Sequence, residues 1–207
     1  MVYGLLDGSA AAKSTKCPCG HRENGLGISL TRIAKHRLIF GYIIGALCLV
    51  VVNRGLFWPG VVLALLGIGF RMWSAGCIHK NEALATDGPY AMTRNPLYVG
   101  SFILGLGMVI AVRSWWLAAI YVIGFAVFYW PTVMNEERYL LSKFGDEFTA
   151  YKRRVPAFLP WKPRFDRGNF SFAHMKSNRE HKYAMVYTGC LVLLQVVGQI
   201  RWLLARG

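Results

Sequence analysis

Long apolar runs alternate along this chain with short polar, turn-rich breaks. Five runs stand out, at 38–52, 58–78, 97–112, 115–134 and 183–204. Each suits a helix in lipid by length and by its near lack of charge. The first holds 15 residues without a charge. It rises about 22 Å as a helix, so flanking residues must help it cross a bilayer. Asn53-Arg54-Gly55 is a tight polar break, and Trp58-Pro59 restarts a helix with Trp at the interface. The first two runs therefore read as a helical hairpin. Gly100, Ser101, Gly105 and Gly107 offer the third run small residues for close helix contact. Pro131 predicts a kink at the end of the fourth. Leu140, Leu141, Phe144 and Phe148 carry that helix on along the surface, and Gly145-Asp146 reads as a stop and a new cap. Gln195 and Gln199 in the fifth run are placed to bond a neighbouring helix.

Composition sharpens this into a fold class. The chain is 55% hydrophobic and only 16% charged, against about 25% charged in soluble domains. The expectation is all-α: an integral membrane helical bundle of about five transmembrane helices. A net charge of +14 raises nucleic-acid binding as an alternative. The basic residues lie between apolar runs, so no nucleic acid is expected as a partner. Lys and Arg number 6, 1, 3, 1, 11 and 2 from the N-terminal tail through successive connections to the C-terminal tail. High and low alternate as the positive-inside rule requires. This puts the N-terminus, the central polar stretch and the segment after the fourth run on the cytoplasmic side. The basic, aromatic stretch 161–182 suits an anionic lipid surface. The first long apolar run begins too far from the start for a cleavable signal peptide.

Cys48, Cys77 and Cys190 lie in or beside apolar runs and read as small buried residues. Cys17, Cys19 and His21 lack a fourth ligand and match no common zinc spacing, so no metal is expected. There is no internal repeat of the kind that builds transporters.

Chemistry concentrates in two polar segments that this topology puts on one face. The first is 87–100, DGPYAMTRNPLYVG. Asn95 caps the third helix, Pro96 sits at its first position, and Arg94 stands beside the unpaired N–H groups. That is a place for an anion. Tyr90 and Tyr98 add aromatic faces. The second segment brings Glu136 and Glu137. Arg94, Glu136 and Glu137 are the candidate catalytic residues. Arg71, which interrupts the second apolar run, either snorkels to headgroups or faces a polar cavity. A soluble ligand with an anionic end, a ring and sugar hydroxyls fits this set. S-adenosyl-L-methionine and a nicotinamide dinucleotide both qualify. No GxGxxG, HExxH or GxSxG motif is present.

GPYAMTRNPLYVG, followed about 35 residues later by EERYLLSKFGDEFTAYKRRVP, resembles the isoprenylcysteine carboxyl methyltransferase family. The wider group includes the phospholipid methyltransferases. The resemblance covers roughly 71–160. It implies a membrane methyltransferase with an S-adenosyl-L-methionine pocket at the cytoplasmic face and a lipid or lipidated acceptor. By position, cofactor contacts would come from Glu82, Ala83, Leu84, Ala85, Tyr90, Asn95, Pro96, Leu97, Tyr98 and Glu136. Family members commonly have His where Asn95 stands, and some have His at Glu82. Thr132 stands where the prenylcysteine enzymes have an arginine for the substrate carboxylate. Arg71, Arg153 or Arg154 would then serve, or the acceptor is of another kind. An amine or hydroxyl acceptor would need a base, with Glu137 or His79 as candidates. The implied organisation is a tail (1–37), a transmembrane hairpin (38–78), a catalytic core (79–160), the basic connection (161–182) and a last transmembrane helix (183–207). An NADPH-dependent reductase of the sterol-reductase type and a non-enzymatic scaffold are the alternatives.

Overall fold

Every apolar run is a helix in the computed structural model, which describes residues 36–78, 84–158 and 168–207. The helices are α1 (Arg37–Val51), α2 (Trp58–Gly76), α3 (Pro96–Ala111), α4 (Trp115–Arg154), α5 (Phe172–Ser177) and α6 (Glu180–Leu204). A single 3-10 turn, Gly88–Ala91, precedes α3. No strand occurs among the described residues. The CPCGH tail, His79, Glu82 and Ala83 lie outside them.

The chain is an integral membrane protein. α2, α4 and α6 are long and apolar enough to cross a bilayer. α1 and α3 are apolar but only 15 and 16 residues long. They rise about 22–24 Å, short of the roughly 30 Å hydrocarbon core, so their polar ends must lie at its edges. Tyr42, Leu66, Ile123, Val192 and Leu203 are exposed. In lipid that exposure costs nothing, because acyl chains solvate them as well as a protein core would.

The tightest packing joins α2 to α3, and glycines make it possible. A Cβ added at Gly60 would lie 2.3 Å from the Ala111 nitrogen, and one at Gly67 would lie 2.4 Å from that of Leu104. From the other side, a Cβ on Gly107 would meet the Ala64 nitrogen at 2.3 Å. Backbones touch here, so only hydrogen fits. Gly100 also faces this seam, against Arg71, whereas Gly105 receives the Tyr121 ring. The expected hairpin of α1 with α2 is corrected: the close partner of α2 is α3, while α1 lies against α4 and α6. The reason is side-chain size. α2 matches its small residues to those of α3, whereas α1 turns Phe40 onto Gly124 of α4.

α4 breaks where the sequence placed a stop: its non-helical residue is Gly145 (φ 50°, ψ −118°), while the chain stays helical through Pro131. Proline deletes a single N–H donor, which a membrane helix tolerates through small adjustments. A left-handed φ breaks the helix outright and is cheap only for glycine.

α6 starts at Glu180, three residues earlier than expected. It stitches the end of the bundle where α1 connects to α2. Gln195 Oε1 accepts the Leu56 N–H at 2.7 Å, and Arg201 Nη1 donates to the carbonyls of Leu49, Val50 and Val52. These satisfy backbone groups left open between α1 and α2. At the other end of α2, the Ser171 N–H and Asn178 Nδ2 cap the carbonyls of Gly76 and Ala75 at 3.0 and 2.8 Å.

Candidate active site

The segment from Asp87 to Asn95 buries Pro89, Met92 and Thr93 without forming an α-helix, so its backbone must find partners elsewhere. It finds them at the end of α4. The Arg94 N–H donates to the Pro156 carbonyl at 2.9 Å. Thr93 Oγ1 and Asn95 Nδ2 both donate to the Ala157 carbonyl, at 2.9 and 3.2 Å. The Tyr151 hydroxyl donates to the Tyr90 carbonyl at 2.7 Å. Burial pushes the Tyr151 phenol up from its ordinary value; Arg94 pulls it back and Glu137 pushes it further. The Asn95 amide is therefore spent on Ala157, and no side chain caps α3. This corrects the expected capping role. Asn95 keeps the N-cap position, but its side chain follows the stronger demand of a buried carbonyl.

Two carboxylates one residue apart on α4 complete the join. Glu136 Oε2 accepts the Tyr98 hydroxyl at 2.7 Å, and that hydroxyl in turn accepts from Arg37 Nη1 at 3.3 Å. Glu137 forms an ion pair with Arg94 at 3.0 Å and a second with the more exposed Lys152 at 3.2 Å. The Arg94–Glu137 contact lacks hydrogen-bond alignment, and Arg94 Nε is buried without a hydrogen-bond partner among the described residues. A buried cationic N–H left open next to an uncapped helix N-terminus offers donors to an anion. Tyr90, Tyr98 and Glu136 stand beside it. This set has the donors for a carboxylate, an acceptor for hydroxyls and aromatic faces for a ring. It fits S-adenosyl-L-methionine.

The other candidates fall in three places. Pro96 and Leu97 begin α3, and Leu84 and Ala85 lead into the 3-10 turn. Arg153 and Arg154 are exposed at the end of α4. Arg71 bonds Glu180 at 2.9 and 3.0 Å. Glu180 carries no motif, and nothing in the sequence marked it as that partner. Nothing local marked Arg37 as the donor to Tyr98 either. Thr132 is buried, its hydroxyl donating to the Phe128 carbonyl. Among the described residues no group of three His, Cys, Asp or Glu could hold a metal.

Comparison with known proteins decides what this arrangement belongs to. Residues 41–147 match phospholipid methyltransferase, just over half of the chain. The chain belongs to the phospholipid methyltransferase family. Tyr98, Arg94, Glu136 and Glu137 all fall inside the matched stretch. α5 and α6 fall outside it. The nickel-cobalt-cadmium resistance protein NccN of Alcaligenes xylosoxydans xylosoxydans is 44% identical over 103 residues, 49% of this chain and 46% of its own length. Protein-S-isoprenylcysteine O-methyltransferase of Schizosaccharomyces pombe is 32% identical over 120 residues, 58% of this chain and 49% of its own. The Rattus norvegicus protein of the same name is 35% identical over 131 residues, 52% of this chain and 46% of its own. The chain thus spans about half the length of these relatives. No solved structure matches it.

Proposed function

We propose that this family member is an S-adenosyl-L-methionine-dependent methyltransferase acting on a membrane-embedded lipid or lipidated acceptor at the cytoplasmic face. The observation that carries this reading is the double join of the α3 start to α4, through Tyr98–Glu136 and Arg94–Glu137. It gathers an open cationic donor, a helix N-terminus and a carboxylate within the stretch the family shares. Arg94 and the α3 N-terminus would hold the cofactor's carboxylate, and Glu136 its hydroxyls. Tyr90 and Tyr98 would flank its ring. When bound, the cofactor supplies an activated methyl group. The protein's part is to orient the acceptor in line with that group and to exclude water. The lipid character of the acceptor is supported by the family's name and by the isoprenylcysteine relatives. The cytoplasmic face rests on the alternation of Lys and Arg.

Calorimetric titration of detergent-purified protein with S-adenosylhomocysteine tests the reading, wild type beside Glu136→Ala. Saturable binding that the variant loses, at an unchanged melting temperature, is the expected result. Folded wild type that ignores S-adenosylhomocysteine and binds NADPH would replace the methyltransferase with a reductase. Binding of neither would leave a scaffold.

A further inference from the structure

The turn between α3 and α4, Arg113-Ser114, lies at the far end of α3 from Arg94 and Tyr98. The 16 residues of α3 put about 24 Å of helix between the two ends. Three helices meet at this turn. The Phe57 N–H, just before α2, donates to the Ala111 carbonyl at 2.8 Å, and α4 starts at Trp115. Between them lies a cavity of about 300 Å³, lined by Phe57, Ile110, Arg113, Ser114 and Trp115. No acidic residue is among these five.

The polar groups at this cavity are left open. Ser114 holds the N-cap position of α4, where a serine hydroxyl ordinarily accepts from an N–H of the first turn. Here it makes no such bond. Ser114 is 5% exposed, and its Oγ is buried without a hydrogen-bond partner among the described residues. Such a hydroxyl is costly unless a ligand completes it. The Ala118 N–H is the first in α4 to find a partner, the Ser114 carbonyl at 3.0 Å. The N–H groups of Trp115, Trp116 and Leu117 have none among the described residues. The partial positive charge of a helix start falls at the same place.

Arg113 adds a full charge. Its guanidinium lies over the Phe57 ring, 5.2 Å from the centroid, and has no hydrogen bond or ion pair among the described residues. Its backbone takes a left-handed φ of 60°, which side chains disfavour. Arginine stands there although glycine would make the turn with less strain.

The remaining walls indicate what the anion is attached to. Phe57, Ile110 and Trp115 are apolar or aromatic. Trp58 and Trp115, at the starts of α2 and α4, are 75% and 77% exposed. Tryptophans so placed on membrane helices sit at the level of the lipid headgroups. A ligand that joins an anion to apolar chains at that level is a phospholipid.

We infer that this turn binds the phosphate of a membrane phospholipid, with Ser114 Oγ and the first N–H groups of α4 donating to its oxygens and Arg113 supplying the charge. The lipid ties α2, α3 and α4 together at the end of the bundle remote from Arg94 and Glu136. At that distance it is not the methyl acceptor, and the inference stands apart from the methyltransferase reading.

The experiment uses the full chain in detergent with three probes: dioleoylphosphatidylglycerol, dioleoylglycerol, which has the same chains without phosphate, and inorganic phosphate. Hydrogen exchange of the amides at 113–117 reads the site directly. Dioleoylphosphatidylglycerol should protect these amides, and the other two probes at equal concentration should not. Its affinity, from native mass spectrometry, should fall about tenfold in Ser114→Ala, the worth of a charge-assisted hydrogen bond. It should fall about fivefold in Arg113→Gly, the worth of one basic residue at a lipid surface. Glycine suits the backbone at that position and the Ser114 side chain caps nothing, so both variants should melt as high as wild type without lipid. Attraction to the basic stretch 161–182 is common to all three proteins and drops out of the comparison. Equal protection by dioleoylglycerol would make the cavity a site for acyl chains alone. Equal protection by inorganic phosphate would make it a site for the free ion. Unchanged affinity in both variants would put the lipid elsewhere. Each of these three results would overturn the inference.

Discussion

Substituting Gly67 by alanine tests whether the glycine seam between α2 and α3 sets the geometry of the site. The added Cβ would stand 2.4 Å from the Leu104 nitrogen, 2.7 Å from its Cα and 2.9 Å from the Gly100 carbonyl oxygen. That is about 1 Å short of ordinary contact, and the obstacles are backbone atoms that no rotamer change can move. The helices must part. Overpacking of this kind costs about 1–3 kcal/mol, and in a chain of this size that lowers the melting temperature by about 2–12 °C. Gly69 on the same helix is the control, since a Cβ there meets nothing within 4 Å. Gly69→Ala should be neutral or slightly stabilising, because alanine is the better helix former. The assay is thermal unfolding in detergent, followed by tryptophan fluorescence. A second readout is S-adenosylhomocysteine affinity. α3 carries Tyr98, so its displacement should lengthen the bond to Glu136 and weaken cofactor binding in Gly67→Ala but not in Gly69→Ala. Equal melting of both variants and wild type would refute the claim that backbone contact at this seam holds α3 in place.

Three further outcomes are expected. Arg94→Gln leaves the mostly buried Glu137 carboxylate with only Lys152 and should cost about 3 kcal/mol; the reversed pair Arg94→Glu with Glu137→Arg should recover part of that in the same melt. Tyr98→Phe removes a charged hydrogen bond of 2.7 Å and should cost about 1.5–3 kcal/mol, read as melting and as weaker S-adenosylhomocysteine binding, while Lys152→Ala should cost under about 1 kcal/mol because the lysine is half exposed. Tyr151 has its folded value raised by burial, so its contribution is full below the unfolded value of about 10 and fades as pH rises through it; wild type should therefore lose more stability than Tyr151→Phe between pH 9 and pH 11, and parallel curves would show that the phenol is not buried as described.

The amino-acid sequence determined the helices, because apolar run length and the breaks at Asn53-Arg54-Gly55 and Arg113-Ser114 are local properties. It also determined the stop at Gly145 and the two polar segments that carry the chemistry. Their order and spacing carried the family resemblance. The pairing of groups was beyond it. Asn95 looks like a cap by its position, and only the Ala157 carbonyl, 62 residues along the chain, draws its amide away. Arg94 looks unpaired along the chain, and only the fold brings the Glu137 carboxylate to one side of it. Which helix α2 would choose was equally hidden, since α1 is just as apolar as α3; the choice lies in matching small residues across a seam, which one strand of sequence does not display. Arg71 and Glu180 stand 109 residues apart with nothing local to link them. Hydrophobic pattern is written along the chain, whereas a charge pair in lipid is decided by which helices end up facing each other, and that belongs to the tertiary structure.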